Sequence, residues 1–148
     1  MNYKIISILA IAILLSTVAY GCSDNSASVL SSPEQVIQDY YQSINDHDCE
    51  KNINLRSSSD QLVAGKSHDD SVKACQQLIY DGAPVVTVTN VSVSSNDGKI
   101  AEVKFQAAFN GVNYQKILDV DDILVMEEGG WKVYKSHSTP HNNSQEPQ

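Results

Sequence analysis

Positive charge is the first thing this sequence lacks. Ten Lys and Arg stand against 18 Asp and Glu, and the basic residues nowhere cluster. A chain of net charge −8 repels a polyanion, because nucleic-acid affinity comes largely from Lys and Arg on phosphates. Nucleic acid is thereby excluded as a partner. Cysteine is also scarce: Cys22, Cys49 and Cys75 are the whole set, an odd number that leaves one thiol over in an oxidising compartment. Long apolar runs are missing. Ile5–Val18 is the best candidate, and its 14 residues rise only ~21 Å as a helix against the ~30 Å hydrocarbon core of a bilayer. No Ser/His/Asp pattern, phosphate-binding glycine loop or metal-ligand spacing stands out, so no catalytic residue, cofactor or metal is assigned. The mixed run Asp46, His47, Asp48, Cys49, Glu50 is no exception, since consecutive residues on a helix point in different directions. Beyond Ser136 aromatics run out altogether, and the polar, Pro-containing residues 137–148 read as a disordered tail. His137 and His141 within it have an H-x3-H spacing, but Pro140 opposes the helix that would align them.

What is present begins at the N-terminus. Lys4, the short apolar run and the small residues closing it make a secretory signal peptide over residues 1–21. Ala19-Tyr20-Gly21-Cys22 resembles a bacterial lipobox in Gly21 and Cys22, with Tyr20 as a departure. A diacylglycerol thioether on Cys22 would use the odd thiol and leave Cys49 and Cys75 to pair. Two or more acyl chains hold stably where one binds reversibly. The expected mature protein is therefore anchored to a membrane by its lipid and does not span it. Lys4 is the only charge before Cys22, so processing takes the net charge from −8 to −9. Residues 22–31 are polar and small, a tether reaching up to ~33 Å. The likeness to bacterial lipoproteins implies a cell-envelope address. With Ser23 in place of a retaining Asp, that address is the outer membrane in a Gram-negative host.

Residues 32–136 suffice for one core and not for two. "SPEQVIQDYYQSIND" opens with Ser32 as N-cap, Pro33 at the first helical position and Gln35 at N3. Val36, Ile37, Tyr40, Tyr41 and Ile44 form one apolar stripe. Tyr40 and Tyr41 either line a pocket or pack the helix with their hydroxyls at the edge of the core. A short second helix follows, capped by Asp46 or Asp48 and facing Cys49 and Ile53 inward. "RSSSDQLVAGK" interrupts it. A third helix starts at Ser67, buries Val72, Cys75, Leu78 and Ile79, and ends at Gly82-Ala83-Pro84. Cys49 and Cys75 thus fall on inward faces of neighbouring helices, and a bridge between them would contribute roughly 3 kcal/mol.

After Pro84 the period changes to two. Asn96-Asp97-Gly98 marks a hairpin. Ala101, Val103, Phe105, Ala107 and Phe109 share one face, while the first strand changes phase near Thr89-Asn90, which predicts a bulge. A third strand follows Asn110-Gly111, with Tyr114, Leu118 and Val120 in one phase and a switch expected at Asp121-Asp122. Asp119, Asp121 and Asp122 could supply an acid from this strand, but three acids at an exposed bend read as solvated. Glu128-Gly129-Gly130 leads into "WKVYKS", the last strand of a meander.

This order — an α+β class with three N-terminal helices on a curved four-stranded antiparallel meander — resembles the nuclear transport factor 2-like superfamily with its cystatin-like cone. The likeness rests on "SPEQVIQDYYQSINDHDCEKN" for the opening helices and "GGWKV" for the final turn and strand. It is nearest to small exported bacterial lipoproteins of this fold. The resemblance implies a pocket between helices and sheet, with Tyr40, Tyr41, Tyr114 and Trp131 as candidate lining, and a homodimer through the convex sheet face. It also implies an alternative, an envelope enzyme of the ketosteroid isomerase or polyketide cyclase type working with an Asp base. Here the stretch where such enzymes carry an aromatic and paired acids is "RSSSDQLVAG", with Asp60 alone. The expected function is accordingly a noncatalytic binding or interaction module of unknown ligand or partner. A surface structural or exclusion lipoprotein is the third reading.

Overall fold

The computed structural model describes residues 31–79 and 83–141. The signal segment, Cys22 and nearly all of the tether lie outside the described residues, as do residues 142–148 of the expected tail.

Three helices come first, and each starts where a local cap dictates. Helix α1 spans Pro33–Asn45, and the Ser32 hydroxyl accepts from the Gln35 backbone N–H at 3.3 Å. Helix α2 spans Cys49–Asn54, capped by Asp48 through the Lys51 N–H at 2.9 Å. Helix α3 spans His68–Leu78, capped by Ser67, whose hydroxyl accepts from Asp70 N–H at 3.2 Å. These caps satisfy N–H groups that have no intrahelical partner.

Strands β1 (Val85–Asn96), β2 (Ile100–Asn110), β3 (Gln115–Glu127) and β4 (Gly130–Pro140) follow, and they pair antiparallel in that order. The β1–β2 register shifts between Thr89 and Ser92, with Asn90 at a positive φ of 56°, so the expected bulge is present. Val91 and Val93 beyond it still reach the core. At the hairpin, Asp97 Oδ1 accepts from the Lys99 and Ile100 N–H groups at 2.8 and 2.7 Å, and Gly98 takes φ +84°.

Helix α1 lies on the concave face of this sheet and touches β1, β2 and β4. Ile37, Tyr40 and Tyr41 meet Val103, Phe105, Val120, Leu124, Trp131 and Val133 in one main core. The two tyrosines stack edge to face, as do Tyr41 and Phe105, each pair with centroids 5.2 Å apart. Helices α2 and α3 make a separate small cluster of Cys49, Ile53, Val72 and Cys75, closed by a disulfide between the two cysteines across a Cα separation of 5.7 Å. Leu78, expected inside, is 62% exposed because α3 covers only that small cluster and its last turn overhangs it.

Two further expectations are corrected. Strand β4 does not stop at Ser136. Residues 137–140 pair with β3 residues 118–121, and the His141 N–H donates to the Ile117 carbonyl at 3.1 Å. Composition argued for disorder, but β3 is long enough to offer these residues a complete hydrogen-bonding edge. Nor does β3 change phase at Asp121-Asp122. Val120, Asp122 and Leu124 lie opposite Phe105, Val103 and Ala101, all inward, and Asp122 is 1% exposed.

Candidate functional site

The segment after α2 is fastened to the sheet by its own sequence. Ser57 N–H donates to the Val133 carbonyl and Val133 N–H to that of Leu55, both at 2.8 Å, so residues 55–57 add a short parallel bridge beside β4. Ser57 Oγ donates to Glu127 Oε1 at 2.6 Å, and Ser58 N–H donates to the same carboxylate at 3.1 Å. Burial alone would raise Glu127, but these bonds prevail and hold its carboxyl below the usual range. Arg56 donates to Asn52 Oδ1 at 3.0 Å and to Asp60 Oδ2 at 3.1 Å, with its guanidinium 5.1 Å from the Tyr40 ring centroid. Asp60 in turn accepts from Leu62 N–H at 2.8 Å. The run "RSSSD" is thereby a rigid connection.

Between this connection, the end of α3 and the middle of β4 lies a cavity of about 610 Å³. Arg56, Asp60 and Leu62 line one side, and Leu78, Tyr134 and Ser136 the others. The β3–β4 register shifts between Ile123 and Leu124, which leaves Tyr134 as the extra residue in that wall. Such bulges re-aim side chains and break the ladder locally.

Directly behind Ser136 is Asp122. The two are opposite each other on β4 and β3, so their side chains leave the same face of the sheet, roughly 5 Å apart at Cβ. Neither Asp122 carboxylate oxygen has a hydrogen-bond partner. Burial pushes this carboxyl up to about 6, and Asp121 adds to the shift; the Ser136 hydroxyl and Arg56 oppose it. Ser136 eases both Asp122 and Tyr41 without reaching either Asp122 oxygen in hydrogen-bond geometry, so the hydroxyl stands near both groups. Burial likewise drives Tyr40 up to about 12 and Tyr41 further in the same direction, which keeps both phenols neutral.

Comparison with known proteins bears on the fold. No protein-family model matches the chain, and no curated protein matches it. Solved structures do. An NTF2-like protein of unknown function from Pseudomonas putida KT2440 superposes with a TM-score of 0.55 at 15% identity, over 74% of this chain and 85% of its own. An uncharacterised protein with a cystatin-like fold from Caulobacter vibrioides gives 0.56 at 14% identity, over 74% and 87%. A proposed dehydratase of the NTF2-like family from Streptomyces avermitilis gives 0.53 at 14% identity, over 72% and 92%. The fold is NTF2-like.

In an NTF2-like cone the expected pocket lies between helices and sheet, and the four candidate lining residues are spread across that space. Tyr40, Tyr41 and Trp131 are buried in the main core at 9%, 8% and 7% exposure, with Trp131 opposite Met126. Tyr41 also borders a smaller groove of about 250 Å³ with Gln38, Asn45 and Val86. Tyr114 is 56% exposed in the β2–β3 turn, its ring against Gly111 so closely that a Cβ there would collide with it. The NTF2-like interior is thus filled by aromatic side chains, and the larger cavity opens at its side. Asp60 lies in that cavity. Asp119 and Asp121 lie on the convex face, where Asp119 accepts from the His141 ring at 2.8 Å and Asp121 pairs with Lys104 at 3.6 Å. The His141 bond holds Asp119 below the usual carboxylate range, so this histidine has a structural partner. Among the described residues, no group of three His, Cys, Asp or Glu converges on a metal-sized site.

Sequence reasoning named Asp122 among the third-strand acids but placed it on a solvated bend. The signal that could have found it is the alternation Leu118, Val120, Leu124, Met126: position 122 falls in the inward phase, whatever residue occupies it.

Proposed function

We propose that this chain is an exported, lipid-anchored NTF2-like binding module, noncatalytic, with its ligand in the cavity bounded by residues 56–62, Leu78 and residues 134–136. The observation that carries the reading is a filled cone beside an open side cavity. That cavity is of a size suited to a small molecule, whereas a purely structural or exclusion lipoprotein needs none. The Cys49–Cys75 bond supports the anchor, because it leaves Cys22 as the one remaining cysteine, directly behind a short apolar leader. The test has two arms. Expression of the full chain in a bacterial host with radiolabelled palmitate should label it and send it to the membrane fraction, and Cys22→Ser should abolish both. Native mass spectrometry of the membrane-extracted protein should show a retained small molecule. Unlabelled, soluble wild-type protein would end the anchoring part, and ligand-free spectra from every extraction would count against the binding part.

One observation favours a second reading, an envelope enzyme of the isomerase or cyclase type. Asp122 is an inward carboxyl beside Tyr41 with its pKa moved toward the working range of a general base. Its oxygens have no hydrogen-bond partner to orient them as a base, which speaks for the binding reading. Deuterium exchange into small enolisable ketones, lost in Asp122→Asn, would reverse that order.

A further inference from the structure

A fully buried carboxylate with two unpartnered oxygens is rare, and each instance calls for a physical explanation. Within this fold the Ser136 hydroxyl opposite it eases the charge without reaching either oxygen in hydrogen-bond geometry. Arg56, the cation nearest in influence, donates to Asn52 and Asp60 and covers the Tyr40 ring. Lys135 borders the cavity but lies opposite Ile123, in the strand phase that leaves the other face of the sheet from Ser136. The charges facing the cavity are therefore Arg56 and Asp60, which pair with each other, and behind them Asp122, which has no ion-pair partner among the described residues. Of all groups on the inner face, this acid is the one in surplus.

Resting on the binding reading above, we propose that Asp122 is the anchoring group of the cavity, and that the ligand is a small organic ammonium with an apolar body. Its nitrogen supplies the missing donor to Asp122, and its body lies against Leu62, Leu78 and Tyr134. The way in is the weakest part of the wall. Ser136 is exposed, follows the Tyr134 bulge, and belongs to the edge strand of the sheet, so no further strand holds it in place. A displacement of residues 134–136 opens the cavity onto the carboxylate.

The experiment compares three probes of similar size and different charge, benzylamine, benzyl alcohol and phenylacetate, by calorimetry and by backbone NMR shifts of the full chain in detergent. Benzylamine should shift residues 56–62 and 134–136 and bind at least about tenfold more tightly than the other two. Asp122→Asn should remove that preference. Because the variant alters the core, a second measurement uses the wild type alone. From pH 7.5 to 5 benzylamine stays charged, and its affinity should fall about tenfold around a midpoint near 6, with benzyl alcohol unchanged. The other groups around Asp122 are Tyr40 and Tyr41 on α1, Arg56 and Asp60 after α2, the Ser136 hydroxyl on β4 and, from the opposite face of its own strand, Asp121. A pH dependence that persists in Asp122→Asn belongs to one of them and overturns the assignment. If benzyl alcohol or phenylacetate shifts the same residues as strongly as the amine, the ammonium proposal falls and the binding cavity stands. If no probe moves those residues, both fall.

Discussion

At the scale of single residues, the sign of each acid's pKa shift separates what holds the fold from what strains it. The folded carboxyl of Asp122 is raised from 3.8 to about 6, so the fold favours its neutral form. Its ionisation therefore costs stability above pH 6, and that cost disappears as the pH falls below about 4. The shift corresponds to a penalty on the order of 2–3 kcal/mol at pH 7. Asp122→Asn should accordingly be more stable than wild type in urea at pH 7, with the gap closing by pH 4. A variant less stable at pH 7 would mean that the carboxylate is bonded after all. Glu127 behaves in the opposite sense. Its carboxyl is held low by Ser57 and Ser58 once burial is overcome, so its contribution is present at neutral pH and is lost as the pH falls through its folded value. Glu127→Gln should speed amide exchange across residues 55–60 at pH 7, an effect that hydrogen-exchange mass spectrometry resolves by segment. If exchange there stays at the wild-type rate, the parallel bridge to Val133 suffices to hold the connection.

At the scale of elements, legibility follows the range of the physics involved. Caps are local, so Ser32, Asp48 and Ser67 were readable where they stand. The bulge after Thr89 was readable because two valines on each side change parity. Asp122 was misread because residue type was allowed to outrank phase: an acid was sent outward although Leu118, Val120 and Leu124 fix its position inward. Residues 137–141 were misread from composition, since pairing to an existing strand edge needs no apolar residues. The cavity had no local signature at all. Its walls come from a loop, a helix end and a bulged strand that only the fold brings together. The disulfide acts within one such unit. The α2–α3 cluster has four buried members, two of them the bonded cysteines, while the main core lies elsewhere. The double variant Cys49→Ala, Cys75→Ala should lose about 3 kcal/mol. Faster exchange should concentrate in α2 and α3, and equal loss across the sheet would show instead that the two clusters unfold as one.

At the scale of the whole molecule, an acidic body with a filled interior presents two different faces. The convex face carries Glu102, Lys104, Asp119 and Asp121 near its middle, so a dimer formed through it would bury paired charges and should weaken in high salt. Light scattering at low and high ionic strength measures this, and a salt-independent mass of one chain would remove that partner. The side cavity has another dependence, which lies in the order of the chain. Ser57 bonds to Glu127 and Lys132 to the Asn54 carbonyl, contacts 70 and 78 residues apart. A ribosome that has released everything up to Gly129 has already delivered all three helices and both cysteines of their bridge, yet not one residue of the wall that β4 contributes. The side cavity is consequently the last feature the chain completes, and any message cut short before its final strand encodes a body that lacks one of that cavity's walls.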